Sequence, residues 1–87
     1  MSLDFPNSVR CFDAGRSCVS FWGSDASLEV AFQIDFAALR KLGPDARAVE
    51  EEALRIFDQN RDAIYQAARS AYARNRGGFH RLTAENF

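Results

Sequence analysis

The residues that could perform catalysis or hold a metal are few. The single histidine is His80, and the two cysteines are Cys11 and Cys18. A structural zinc site uses four ligands, commonly with closely spaced cysteine pairs, and the sequence has neither such a pair nor a second histidine. Nucleophilic catalysis needs a nucleophile beside a base, which leaves only a Cys18–His80 pair that the spacing does not support. The sequence therefore predicts no enzyme, no metal and no cofactor.

The two cysteines are predicted to be free thiols. A two-residue turn at Ala14-Gly15 places Cys11 opposite Cys18 in a hairpin, but at a hydrogen-bonded position, where antiparallel strands are farther apart. The sequence shows no signal-peptide pattern and no stretch long enough to span a membrane. We therefore expect a cytoplasmic protein without membrane contacts, in a compartment that keeps thiols reduced.

Basic side chains concentrate toward the C-terminal end. Residues 53–87 carry six basic and three acidic side chains, whereas residues 1–52 carry five basic and nine acidic ones. Arginines interleaved with aromatic residues are typical of nucleic-acid or anion binding. The candidate residues here are Arg69, Tyr72, Arg74, Arg76, His80 and Arg81, and Phe79 is a further aromatic residue of this cluster. The net charge of −1 does not provide the strong field that phosphate contacts need, and nucleic acid is therefore the less favoured partner.

Asn60 and Arg61 are candidates for a polar network. Asn60 interrupts the apolar stripe of a predicted helix, where a buried amide needs a hydrogen-bond partner on a strand or loop. Arg61 follows it and can pair with Asp58 three residues earlier. A structural network is the preferred interpretation of these residues, and a ligand site is the alternative.

Trp22 is a candidate interface residue. It falls on the strand face opposite Phe21. On that face it is either an exposed aromatic of the kind found at protein interfaces, or it is covered by the N-terminal segment that carries Leu3 and Phe5.

The elements that position these residues begin with strands, predicted over residues 9–12, 18–22 and 28–34. The third strand alternates apolar and polar side chains from Leu28 to Ile34. Residues typical of turns separate the strands at 13–16 and 23–27. The pattern predicts a three-stranded antiparallel meander with one face that must be covered.

Helices are predicted to cover that face. Asp35 can cap a short helix over residues 36–42, which Gly43-Pro44 ends. After a cap at Asp45, apolar residues three and four apart predict one long helix from about Ala46 to Ala73, with Val49 to Phe57 in the core. Gly77-Gly78 ends this helix, residues 79–82 fit a short fourth strand with a partly exposed His80, and Thr83 can cap a final turn.

The long helix exceeds the predicted sheet. A helix of about 28 residues is roughly 42 Å long, and a strand of about seven residues spans only about 23 Å. The helix either bends, with Asp58-Gln59-Asn60 as its weakest helix formers, or its turns past Ala68 project and meet another subunit. This overhang is the sequence argument for a homodimer.

Four segments carry a family resemblance. They are Phe5-Pro6, Val19-Ser20-Phe21, residues 57–64 (FDQNRDAI) and residues 82–87 (LTAENF). In these segments the chain resembles the bacterial family catalogued as domain of unknown function 1488. The resemblance covers nearly the whole chain and departs from the family at Cys11, where a large aromatic residue is expected. It implies a compact α+β bacterial protein and no particular activity.

Together these observations predict one α+β domain over residues 1–87: a three-stranded antiparallel meander, a short helix and a long helix packed on one face, and a short C-terminal strand. The predicted function is a non-enzymatic protein-interaction module, with a homodimer or an unknown protein as partner. The alternative is a weak nucleic-acid or anion binder that uses the basic C-terminal end.

Overall fold

The computed structural model describes residues 3–6, 8–43 and 49–87, which form one sheet of strand order β1-β2-β3-β4 with helices on one face. The elements are β1 (Arg10–Asp13), β2 (Cys18–Asp25), β3 (Leu28–Asp35), α1 (Phe36–Leu42), α2 (Glu50–Gln59), α3 (Arg61–Arg74), β4 (Phe79–Leu82) and a 3-10 turn (Ala84–Asn86). The first three strands are antiparallel, and β4 pairs with β3 in parallel. The predicted α+β class, the meander and the C-terminal strand are confirmed.

The first hairpin is wider than predicted. Asp13 pairs with Cys18, so four residues connect the strands rather than the two of an Ala14-Gly15 turn. The wider turn is stabilised from within, because the Asp13 carboxylate accepts a backbone N–H of the turn at 3.1 Å. In this register Cys11 lies opposite Ser20. The predicted juxtaposition of Cys11 and Cys18 is therefore wrong, and both thiols are free.

The second hairpin is tighter than predicted. The sequence predicts a loop over residues 23–27, but β2 continues to Asp25 and only Ala26 and Ser27 connect it to β3. Ala26 has a φ of 57°, the left-handed conformation that tight hairpin turns require. The strand therefore gains three residues at the expense of the loop.

Gly23 stays in the strand because the N-terminal segment passes directly over it. A Cβ at Gly23 would lie 3.0 Å from side-chain atoms of both Leu3 and Phe5. Asp4 and Ser24 exchange two backbone hydrogen bonds of 2.9 and 2.7 Å, which extends the sheet edge beside β2. The glycine thus allows a close approach that any side chain would obstruct.

Helix α1 begins and ends as predicted. The Asp35 carboxylate accepts the backbone N–H of Ala38 at 2.8 Å, which satisfies one of the free donors of the first turn. The helix ends at Leu42, and the Gly43 N–H donates to the Leu39 carbonyl at 2.8 Å.

Within the described residues, the second helical segment begins with α2 at Glu50. Pro44, the Asp45 cap and the predicted start at Ala46 lie outside the described residues. Val49 has extended backbone and precedes the first residue of α2. Its side chain is 50% exposed, so its predicted place in the core is wrong.

The predicted long helix is two helices, and the bend predicted at residues 58–60 is confirmed. Asn60 separates α2 from α3 with φ −123° and ψ 25°, outside the helical region. Its side-chain amide donates to the Ile56 carbonyl at 2.9 Å, inside the helix that it ends. The predicted tie from Asn60 to a strand or loop is therefore wrong.

The break also removes the predicted overhang. Helix α3 packs against β4, and Tyr72 near its end is only 7% exposed. The turns past Ala68 therefore lie on the sheet rather than beyond it. The length argument for a dimer is wrong, because the bend lets both helices fit on the sheet.

One apolar core lies between the helices and the sheet. Phe21 is at its centre, with its ring centroid 5.2 Å from both Phe32 and Phe57. Phe5 closes one end and stacks on Tyr65 at a centroid distance of 4.0 Å. The buried members include Val19, Val30, Ile34, Leu39, Ala53, Ile56, Ile64, Ala68 and Leu82. Because α1, α2 and α3 all contribute to this core, they lie on the same face of the sheet.

Candidate functional site

The opposite face of the sheet, here called the open face, carries an apolar row. Trp22 in β2 lies opposite Ala31 in β3, and Ala31 lies beside Phe79 in β4. Phe79 is 55% exposed, and Trp22 is half-buried. The small side chain of Ala31 lies between the two aromatic residues. Leu3 and Phe5 lie over Gly23 on the helix-covered face, so the predicted cover of Trp22 by these residues is wrong.

A polar row borders the apolar row on one side. Gln33 and Arg81 are register partners, and Arg81 Nη1 donates to Gln33 Oε1 at 3.0 Å. Arg81 Nη2 also donates to the Arg16 carbonyl at 3.3 Å, which holds the guanidinium against the first hairpin. Gln33 is only 8% exposed, so its amide oxygen depends on this arginine. The row thus places one positive charge on the open face.

The other border of the apolar row is acidic. Ser24 and Glu29 are register partners there, and Glu29 is exposed. Asp4, which bonds to Ser24 through its backbone, is also exposed. The open face therefore has an apolar centre, one acidic border and one border with a basic side chain.

Cys18 and His80 lie on opposite faces of the sheet. Cys18 pairs with Asp35 on the open face, whereas His80 pairs with the core residue Phe32. Cys18 is fully buried, and this burial raises the pKa of its thiol, although nearby Arg81 acts in the other direction. Since the two side chains are separated by the sheet, the geometry gives a Cys18–His80 pair no support.

The predicted basic cluster is not one site. Arg69 Nε donates to the Leu3 carbonyl at 3.1 Å, and its guanidinium lies 5.2 Å from the Phe5 ring centroid. His80 is buried rather than partly exposed, and its Nε2 lies 2.8 Å from the Gly77 carbonyl oxygen. Arg81 projects on the open face, as described above. These side chains therefore point to different sides of the domain.

The remaining members lie around the end of α3. Tyr72 is buried, and its hydroxyl donates to Asp25 Oδ2 at 2.6 Å. This hydrogen bond raises the pKa of the Tyr72 phenol, because ionisation would remove the donor beside a carboxylate. Arg74 and Arg76 are exposed, and the positive charge of Arg76 acts on the same phenol in the opposite direction.

Arg61 belongs to a network at the helix break, as predicted. Its Nη2 donates to Asp58 Oδ1 at 2.7 Å, and its Nη1 donates to the Tyr65 hydroxyl at 2.7 Å. It also donates to the Ser8 carbonyl at 3.1 Å and lies 5.1 Å from the Phe57 ring centroid. Arg61 therefore joins the helix break to the segment that leads into β1.

Asp58 connects this network to β1. Its two oxygens accept Arg10 Nε at 3.1 Å and Arg10 Nη2 at 2.8 Å. The hydrogen bond from Arg10 is the largest cause of the lowered pKa of Asp58, and Arg61 adds to it. A shallow groove of about 490 Å³ lies beside the pair, with Leu54 among its lining residues. Since the charges are already paired, this network fits the structural interpretation of Arg61.

The open face also contains residues that were not among the sequence candidates. They are Glu29, Ala31 and Gln33. The sequence predicts Phe79 only as an aromatic residue of the basic cluster and not as a neighbour of Trp22. The signal that could have assigned Phe79 to the open face is the alternation of side chains along a strand. Once residues 79–82 are a strand with Leu82 in the core, Phe79 must face the other side.

Two further properties concern metals and membranes. Within residues 3–6, 8–43 and 49–87, no three His, Cys, Asp or Glu side chains are grouped so that they could hold a metal ion. No helix in the described part of the chain is long and apolar enough to cross a membrane.

Comparison with known proteins gives one match. A family model described as Protein of unknown function (DUF1488) matches residues 3–79, which include the meander, α1, α2, α3 and the first residue of β4. Neither a curated protein nor a solved structure matches the chain significantly.

Proposed function

We propose that this chain, which belongs to the DUF1488 family of unknown function, is a non-enzymatic protein-interaction module. The geometry of the chain supports this proposal. The open face is the binding surface, and the observation that carries the proposal is the row Trp22–Ala31–Phe79. The cytoplasmic location expected from the sequence is part of this proposal.

The open face has the composition of a protein interface. Such interfaces have an apolar, often aromatic centre and a polar rim, and tryptophan is among the residues that most often dominate binding energy. Here Trp22 and Phe79 are the centre, and Glu29 and Arg81 belong to the rim. Burying one large apolar side chain contributes about 1.5–3 kcal/mol. Since Phe79 is 55% exposed and Trp22 is already half-buried in the free domain, each anchor can contribute only part of this energy to a complex.

The arrangement of the arginines does not favour nucleic acid. A groove that binds a single strand needs several cations along one track. Arg69 and Arg81 hold backbone carbonyls on different sides of the domain. The proposal therefore takes protein as the partner, in preference to the anion-binding alternative.

Site-specific photo-crosslinking in cells tests the proposal. A benzoylphenylalanine in place of Phe79 is expected to give discrete protein adducts. The same group in place of Gln66, which is exposed on α3, is the matched control and is expected to give none. A second change, Trp22→Asp, should remove the adducts at position 79 because it places a charge in the apolar row.

Two results would contradict the proposal. One is an equal adduct pattern at positions 79 and 66, which would show that crosslinking does not depend on the open face. The other is a pattern at position 79 that Trp22→Asp leaves unchanged in a folded protein. Circular dichroism of each variant separates a lost surface from a lost fold.

A further inference from the structure

We propose that the occupant of the open face is a second copy of this chain. The two sheets pack face to face about a two-fold axis parallel to the row Trp22–Ala31–Phe79. This inference rests on the proposed function, since it names the partner of the same surface.

The first argument is the symmetry of the face about Ala31. Glu29 lies two residues from Ala31 along β3 on one side, and Gln33 lies two residues away on the other. Alternate residues of a strand are about 6.6 Å apart and point to the same face. A two-fold axis through Ala31 and along the apolar row therefore places Glu29 of one copy over Gln33 of the other.

The second argument is charge complementarity. Arg81 is hydrogen-bonded to Gln33 at 3.0 Å, so the carboxylate of Glu29 meets a positive charge on the second copy. A guanidinium has five N–H donors, and Arg81 uses two nitrogens in the contacts described above. Because the operation is two-fold, the contact forms twice in each dimer.

The same charges disfavour a dimer whose two-fold axis lies between the two sheets but runs parallel to the strands. Such an axis would place the border that contains Glu29 over the equivalent border of the second copy. Like charges opposite one another in an interface are unfavourable and select against that arrangement. The apolar row is self-complementary in the proposed arrangement, since Trp22 meets Trp22 and Phe79 meets Phe79 of the second copy.

The size of the face sets the expected strength of the dimer. The strands β2 and β3 have eight residues and are about 26 Å long, whereas β1 and β4 have four residues and are about 13 Å long, with neighbouring strands about 4.8 Å apart. Each copy thus offers roughly 370 Å², and complete coverage buries roughly 750 Å² in total, which is the size of a weak, transient contact. We therefore expect a dimer that dissociates in the upper micromolar range and weakens with added salt, because part of its energy is electrostatic.

Sedimentation equilibrium on the full chain tests the arrangement. The wild-type protein is expected to change from monomer to dimer between about 1 µM and about 1 mM. Glu29→Arg should weaken this association roughly 10-fold or more, because two attractive contacts become repulsive. The matched control is Glu51→Arg, an equal charge change at an exposed position of α2, which should leave the association unchanged.

Charge exchange makes the test specific. Arg81→Glu alone should also prevent association, but a mixture of the Glu29→Arg and Arg81→Glu proteins should form a heterodimer, because both contacts regain opposite charges. A purely structural effect of either change would not be reversed by mixing. Circular dichroism confirms that each variant is folded.

Three outcomes would overturn the inference. They are a monomer at every concentration, a dimer that Glu29→Arg does not weaken, and two variants that do not associate when mixed. A monomer that still forms Trp22-dependent adducts with another protein at position 79 would leave the proposed function standing and would refute only the second copy as its partner.

Discussion

Replacement of Asp58 by asparagine tests the network that ties β1 to the helix break. Asp58 accepts Arg10 through both oxygens, at 3.1 and 2.8 Å, and Arg61 at 2.7 Å. The Asp58 side chain is 41% exposed, so solvent reduces the strength of these pairs. Exposed ion pairs contribute about 0.2–1 kcal/mol each. With two partners and a bidentate geometry, we expect Asp58→Asn to lower the free energy of unfolding by about 1 kcal/mol at neutral pH.

The loss should depend on pH in a defined direction. The folded protein lowers the pKa of Asp58 below its ordinary value, so the folded state binds fewer protons than the unfolded state near that pH. The stabilisation is complete above the ordinary aspartate pKa of about 3.9 and is lost as the pH falls below it. The difference between wild type and Asp58→Asn should therefore shrink at acidic pH, since asparagine does not titrate.

Urea denaturation at neutral pH and near pH 3 measures this difference. The control is Glu52→Gln, which removes a carboxylate that pairs with Arg55 within the same helix and should cost at most about 0.5 kcal/mol. Combining Asp58→Asn with Arg10→Met in a double-mutant cycle should give a coupling energy of about 0.5–1 kcal/mol. A coupling energy near zero, or a wild-type advantage that is equally large at acidic pH, would refute the reasoning.

Three further predictions concern single side chains. Asn60→Ala should lower the free energy of unfolding by about 1 kcal/mol, because the side-chain amide that donates to the Ile56 carbonyl at 2.9 Å is lost. In the same urea denaturation assay, Gln59→Ala at the neighbouring exposed position should have little effect. Absorbance titration at alkaline pH should show that the Tyr72 phenol ionises above the ordinary tyrosine pKa, and Asp25→Asn should lower its pKa, since the hydrogen bond to Asp25 causes the shift. A thiol reagent should label the exposed Cys11 of the native protein quickly but Cys18 only after unfolding, because Cys18 is buried and its thiol pKa is raised; equal labelling rates would contradict the described burial.

Local patterns were sufficient to predict most elements. The alternation from Leu28 to Ile34 predicted β3, Asp35 predicted the start of α1, and the weak helix formers near Asn60 predicted the break. These features depend on a residue and its close neighbours in sequence. Thr83 belongs with them, because its side chain caps the final turn as predicted.

The errors arose where distant segments decide the structure. Gly23 is a residue type that is typical of loops, but the segment that carries Leu3 and Phe5 packs on it and keeps it in a strand. The sequence predicts one basic cluster toward the C-terminal end because the arginines there are close together in the sequence. His80 and Arg81 nevertheless point to opposite faces of β4, since successive strand residues alternate.

The candidate site depended on both kinds of information. Trp22 was predicted from its strand alone, whereas its neighbour Phe79 is 57 positions later in the chain. Their proximity exists only because β4 pairs with β3, and β-strand pairing across such a separation cannot be inferred from local periodicity. The position of Glu29 and Arg81 on opposite borders of the open face depends on the same pairing.

The parallel pairing of β4 with β3 also has a kinetic consequence. The meander forms from neighbouring segments, but Gln33 and Arg81, which hydrogen-bond to each other, are 48 positions apart. Closing so long a loop costs entropy before any contact is gained, so such pairings form slowly. Phe79 and Arg81 are therefore expected to join Trp22 late in folding. A nascent or partly unfolded chain would lack the complete open face, and the self-association proposed for this face would be restricted to molecules that have finished folding.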